Sequence, residues 1–259
     1  MPKFAANLTM LFTEKPFLER FEAAHKNGFK AVEFLFPYPW PAEEIKALLD
    51  KYQLELVLHN LPPGDWNAGE RGIACHPDRV DEFKEGVAQA IAYAQVLGAK
   101  QLNCLAGKMP EHASAEQAHA TLVSNLKYAA QEFKKHGLRL LIEPINFYDM
   151  PGFYLNHTQQ ALDLIDEVDA DNLFVQYDIY HMQRMEGEIA ATLEKHLAKI
   201  GHIQIGDNPG RHEPGTGELN YPFLFNHLDK IGYVGSIGCE YKPKTNTEAG
   251  LHWLKTVTI

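Results

Sequence analysis

The chain has 259 residues, 45% of them hydrophobic and 22% charged, with 24 Lys and Arg against 34 Asp and Glu for a formal net charge of -10. That length is ordinary for one α/β barrel and does not require two domains. The acidic balance, with no basic run, argues against a nucleic-acid partner, although a metal or local arginines could still reverse the field for a small anionic substrate. Cys75, Cys104 and Cys239 are far apart, odd in number and form no C-x-x-C pair, so three reduced core thiols are expected rather than a disulfide framework. The N-terminal MPKFAANLTMLF has too short an apolar run for a signal segment or a membrane span, so no membrane partner and a cytoplasmic location are expected.

An apolar run predicts a first strand over 4–10. Lys15 and Pro16 then open a helix with Phe17, Phe21 and Ala24 at helical spacing, ended by Gly28. Residues 31–36 read as a second strand closed by Pro37, Pro39 and Pro41, the last starting a helix through Tyr52 with Ile45, Leu48 and Leu49 on one face. A third strand covers 54–58. The loop over 59–77, HNLPPGDWNAGERGIACHP, is long for a compact domain, and such connections usually cover or line a site; Trp66, Glu70 and Arg71 are its candidates. Asp78 is positioned to cap a helix with Val80, Phe83, Val87, Ile91 and Ala94 in register up to Gly98.

A fourth strand over 100–105 and a helix over 113–136 follow, the helix turning Leu122, Leu126, Ala129 and Phe133 inward. Further strands over 138–143, 172–178, 199–205 and up to Glu240 alternate with helices over 158–168, within 186–197, over 221–231 and over 247–255. Eight strands alternating with eight helices are the pattern of a closed (β/α)8 barrel, a single domain over 1–259. An open doubly wound sheet fits less well, because ANLTMLFTEKP after the first strand holds no G-x-G-x-x-G. The aromatic and proline-rich FPYPWP over 36–41 is expected either at a homo-oligomer contact or at the mouth of the site.

Four of these apolar segments deliver an oxygen-bearing side chain: Glu143 after LRLLI, Asp178 after NLFVQY, Gln204 within GHIQIGD and Glu240 after VGSIGC. In a barrel, strand ends converge on the C-terminal face, and adjacent strands lie about 4.8 Å apart. Any one of these residues alone reads as a solvated charge at a strand mouth. Three carboxylates and an amide brought together must repel one another or share a cation, and hard oxygen ligands suit Mg2+ or Mn2+. His181, three residues after Asp178, can donate to a substrate oxygen; His202, two before Gln204, faces the same side by strand alternation, and His59 ends the third strand. Arg71 and Arg211 are the candidate clamps for a substrate carboxylate, against the plainer reading of loop salt bridges with Glu70 or Glu213.

The strings HNLPPGDWNAGERGIACHP, LIEPIN, QYDIYHMQRMEGE, HIQIGDNPGRHEPGTGE and GCEYKP resemble the hydroxypyruvate isomerase family of the xylose-isomerase-like barrels, over nearly the whole chain. The resemblance implies a divalent metal, Mg2+ first and Mn2+ second, held by Glu143, Asp178, Gln204 and Glu240, with the two glutamates also exchanging protons with a small hydroxy- or oxo-acid. A sister group isomerises 2-oxo- and 3-oxo-tetronates. Ketose 3-epimerases of the same superfamily usually carry a histidine where Gln204 stands, and endonucleases on this barrel need further His and Asp ligands. A non-catalytic barrel that captures a small acid is the reading from outside enzymology.

Overall fold

The eight parallel strands pair in chain order and β8 returns to β1, closing a barrel in the computed structural model, which describes residues 2–257. The strands are β1 (Lys3–Asn7), β2 (Ala31–Glu33), β3 (Glu55–Asn60), β4 (Gln101–Cys104), β5 (Arg139–Ile142), β6 (Leu173–Asp178), β7 (Ile200–Ile205) and β8 (Ser236–Cys239). Between and after them run the helices α1 (Arg20–Lys26), α2 (Ala42–Tyr52), α3 (Val80–Leu97), α4 (Ala115–Lys135), α5 (Thr158–Val168), α6 (Ile179–Met185), α7 (Ile189–His196), α8 (Tyr221–Ile231) and α9 (Thr247–Gly250).

Alternation along each strand divides its side chains between two environments. Outward residues such as Val32, Leu102, Leu140, Val175, Ile203 and Ile237 join the hydrophobic layer beneath the helices, with Val87, Leu126, Phe133 and Leu224 from the helix side. Full burial of each such side chain stabilises the fold by roughly 1.5–3 kcal/mol, so this layer carries most of the stability. The inward set differs: Asn7, Glu33, Asn103, Gln176, Asp178, His202 and Gln204 are all buried, and most are polar because they must hold one another and the site.

Several sequence expectations are corrected in detail. β1 ends at Asn7 rather than at residue 10, because the Asn7 side chain accepts from the Thr9 amide (3.0 Å) and turns the chain. Asp78 does not cap α3: it lies in a 3-10 turn, Pro77–Arg79, and its carboxylate meets His112 instead. The expected long helix starts with a capping box, Ser114 Oγ accepting from Gln117 N and Gln117 Oε1 from Ser114 N. α6 was not foreseen. It follows β6 without a loop, because Asp178 Oδ1 accepts from the Tyr180 amide at 2.9 Å and so caps the new helix with a site residue. In the segment over 36–41, Trp40 stacks on Phe17 and Phe36 packs on Trp66 of the long loop.

Candidate active site

β5, β6, β7 and β8 bring Glu143, Asp178, Gln204 and Glu240 to the carboxyl end of the barrel, all at most 5% exposed. Each is held by donors that leave part of it unused. Glu143 Oε2 accepts from Asn103 Nδ2 and Gln176 Nε2, both at 2.9 Å, while its Oε1 faces His181 Nε2 at 3.9 Å. Asp178 Oδ2 accepts from Arg211 Nη2 at 2.8 Å and faces His181 Nε2 at 3.5 Å. Gln204 Oε1 accepts from Gln176 Nε2 at 2.7 Å. Glu240 accepts from Arg211 Nη2 on Oε2 at 2.6 Å and from Asn7 Nδ2 on Oε1 at 3.4 Å.

Crowding these acids into a buried space disfavours their charge. Burial, then the charges of Glu240 and Asp178, drive the Glu143 carboxyl well above the usual range. Burial also raises Asp178 against the pull of Arg211, and pushes Glu240 up to about 8. Burial works against the Arg211 charge too, but Glu240, Asp178 and Glu143 outweigh it and keep the guanidinium charged. The cluster therefore calls for positive charge, and one guanidinium nitrogen bridges two of its three carboxylates.

A divalent ion fits this donor set. Carboxylate oxygens of Glu143 and Asp178 lie within 4.8 Å of each other, and the surroundings are oxygen-rich. The amide oxygens of Asn60, Asn103 and Gln176 are also buried with no hydrogen-bond partner among the described residues, so the interior has acceptors to spare.

His181 is fixed in one tautomer. The Asp149 amide donates to Asn146 Oδ1 at 2.9 Å, which turns the Asn146 nitrogen, Nδ2, onto His181 Nδ1 at 2.6 Å. Nδ1 must then accept, so the ring proton sits on Nε2, the atom facing Glu143 and Asp178. Burial, then Arg211, hold the ring pKa well below the usual value, so it is neutral. A neutral Nε2–H donates to an oxygen in the site and has no lone pair there for a metal.

Arg211 is held by its loop. Asp207 is fully buried, and its carboxylate accepts from the amides of Asn208, Gly215, Gly217 and Leu219 at 2.9–3.1 Å, folding residues 206–219 around itself. Arg211 adopts φ +55°, a left-handed conformation that costs a non-glycine residue about 1 kcal/mol or more, and its Nε donates to the Glu240 carbonyl at 3.2 Å.

The other candidates lie elsewhere. His202 is inside the barrel but one layer below Gln204, with Nε2 2.6 Å from Glu33 Oε2. Asn60 pairs in register with the inward Asn103, so alternation turns His59 to the helix side of β3, beside the Tyr38 ring; burial lowers its pKa to about 4. Glu70 pairs with Arg79 at 2.6 Å, and the Arg71 guanidinium lies 3.9 Å over the Trp66 ring, so neither joins the carboxylates. Sequence reasoning missed Asn7, Glu33, Asn103, Asn146 and Gln176. For Asn103 and Gln176 a signal existed, a polar residue at alternating positions within QLNC and VQYD.

The family model described as xylose isomerase-like TIM barrel matches residues 21–257. The chain is 59% identical over 254 residues to the hydroxypyruvate isomerase of Escherichia coli (strain K12), and 49% identical over 255 residues to the 2-oxo-tetronate isomerase of Cupriavidus necator, with 98% of each chain covered in both cases. Among solved structures, one titled AP endonuclease, family 2 from Brucella melitensis superposes with a TM-score of 0.97 at 44% identity over 99% of both chains. This chain is an isomerase and belongs to the hydroxypyruvate isomerase family, within the xylose isomerase-like TIM barrels.

Proposed function

We propose that this chain is a metal-dependent isomerase that interconverts hydroxypyruvate and tartronate semialdehyde, in the cytoplasm, with Mg2+ or Mn2+ held by Glu143, Asp178, Gln204 and Glu240. The observation that carries the reading is the cluster of three buried carboxylates bridged in part by one guanidinium nitrogen, a site built for positive charge. A divalent ion held there would supply that charge and stabilise the negative charge that develops on the substrate. The three buried cysteines are all free thiols, which supports a reducing compartment.

The isomerisation removes one proton from the hydroxymethyl carbon, passes through an enediolate, and returns one proton to the neighbouring carbon. The hydroxyl proton moves from one oxygen to the other, so atoms balance and no electrons leave. Glu143 and Glu240 stand on β5 and β8, well apart around the closed barrel, and are suited to act on the reacting carbons from two sides. A positioned carboxylate within reach of the carbon-bound proton suits general-base abstraction next to a carbonyl. His181 Nε2–H would donate to a substrate oxygen, and the Arg211 guanidinium would bind the substrate carboxylate.

The 2-oxo-tetronate reading keeps the same chemistry on a longer acid, and the Cupriavidus relative favours it as the second choice. Steady-state kinetics with both acids separates them. A kcat/KM at least about tenfold higher for hydroxypyruvate is expected, and the opposite preference moves the assignment to the tetronate. A site that binds either acid without turning it over is the binding-protein outcome.

A further inference from the structure

The carboxylate of Glu33 is fully buried inside the barrel, one step from the site, and the proposed reaction gives it no role. Three side chains converge on it. Asn7 Nδ2 donates to Oε1 at 2.9 Å, Gln204 Nε2 donates to Oε1 at 2.8 Å, and His202 Nε2 lies 2.6 Å from Oε2. On the fourth side stands Gly238 of β8, where a Cβ would come within 2.3 Å of both carboxylate oxygens. The barrel thus provides three donors and one missing side chain for a single acid, which marks a built socket rather than a charge left over from folding.

An amide is nearly symmetric in shape, so Gln204 fits its place with either end forward, and only its partners decide which end faces the site. A carboxylate only accepts hydrogen bonds. Glu33 therefore binds the amide nitrogen, and the Gln204 oxygen is turned the other way, to Gln176 and through it to Glu143. That oxygen accepts one hydrogen bond and keeps one lone pair. We infer that Glu33 is a positioning residue, which fixes the Gln204 amide with its oxygen toward the carboxylates and so makes it a metal ligand rather than a buried donor. The inference rests on the proposed role of Gln204 in holding the ion. It also assigns His202, the third donor on Glu33, to the support of the site instead of to substrate.

The test measures Mn2+ affinity by titration calorimetry on the EDTA-stripped full chain, comparing wild type, Glu33→Gln, Glu33→Leu, Glu33→Asp and Gln204→Leu. Glu33→Gln keeps an acceptor oxygen for Gln204 without the charge, with His202 moving its proton to Nδ1 to accept from the new amide nitrogen. It should bind Mn2+ within about threefold of wild type. Glu33→Leu removes the acceptor and should weaken binding about tenfold or more, as losses of ligand-orienting partners do. Glu33→Asp, which draws the acceptor back by one methylene while keeping the charge, should weaken it in the same direction and stands in if the leucine variant does not fold. Equal affinity in the leucine or aspartate variant overturns the inference. A glutamine variant as weak as the leucine one also overturns it, because charge and not orientation would then be what matters. No Mn2+ binding by wild type, or full binding by Gln204→Leu, overturns the ligand assignment, and the inference falls with it; the affinities of wild type and the Gln204 variant thus tell the two failures apart.

Discussion

Asn146 Nδ2 lies 2.6 Å from His181 Nδ1, and the Asp149 amide bound to Asn146 Oδ1 makes that contact a donor to the ring. His181 is thereby a neutral Nε2–H in the site. Nitrogen-15 NMR of the imidazole should show the Nε2–H tautomer, uncharged, at neutral pH, because burial and Arg211 both oppose protonation. Asn146→Leu should release this lock and lower kcat about tenfold or more. A charged ring at neutral pH in wild type contradicts the assignment.

Arg211 reaches Asp178 and Glu240 through Nη2 and the Glu240 carbonyl through Nε, which leaves Nη1 to meet a substrate carboxylate. Arg211→Lys keeps the charge and loses the fork, so KM for hydroxypyruvate should rise about tenfold. Arg71 is engaged with Trp66 and with the carbonyls of Trp66 and Glu70, so Arg71→Lys should change KM by no more than about twofold. The reverse ranking would exchange their roles.

The loop over 61–76 is latched by Glu70, which accepts from Arg79 and from the Asp65 amide. The Arg79 hydrogen bond is the largest influence on the Glu70 carboxyl and lowers its pKa below the ordinary value of 4.5. The sign follows from linkage: a depressed folded-state pKa contributes stability that is fully present above 4.5 and is lost as pH falls through the folded value. Glu70→Gln should therefore speed amide exchange across this loop at neutral pH. The difference from wild type should vanish in acid below the folded-state pKa.

Gly238 leaves the space that the Glu33 carboxylate fills. Gly238→Ala should destabilise the fold by about 1–3 kcal/mol through overpacking, read from urea unfolding. Stability equal to wild type would mean that Glu33 can move aside freely.

The strand-end acids were legible because a charge that ends an apolar run is conspicuous, and the barrel followed from eight such runs alternating with helical periodicity. Glu33 was hidden by a boundary. Reading the second strand through residue 36 made Glu33 an interior residue, whereas β2 stops at Glu33 and presents it as β6 presents Asp178. Asn103 and Gln176 were missed because strands of four to six residues give too few alternations to say which face closes inward. The orientation of Asn146 depends on a turn contact three residues on, and the pairing of Glu70 on an arginine nine residues away; neither follows from spacing alone.

Proton transfer at a metal-loaded carboxylate site has a direct readout in the fate of the carbon-bound hydrogens. Proton NMR of the Mg2+-loaded chain with hydroxypyruvate in D2O, beside an EDTA-stripped control, tests it most directly. Conversion to tartronate semialdehyde with deuterium entering at carbon only in the loaded sample is expected, with loss of that exchange in Glu143→Gln and Glu240→Gln. Equal conversion in the stripped control, or exchange near the wild-type rate in both glutamate variants, would contradict it.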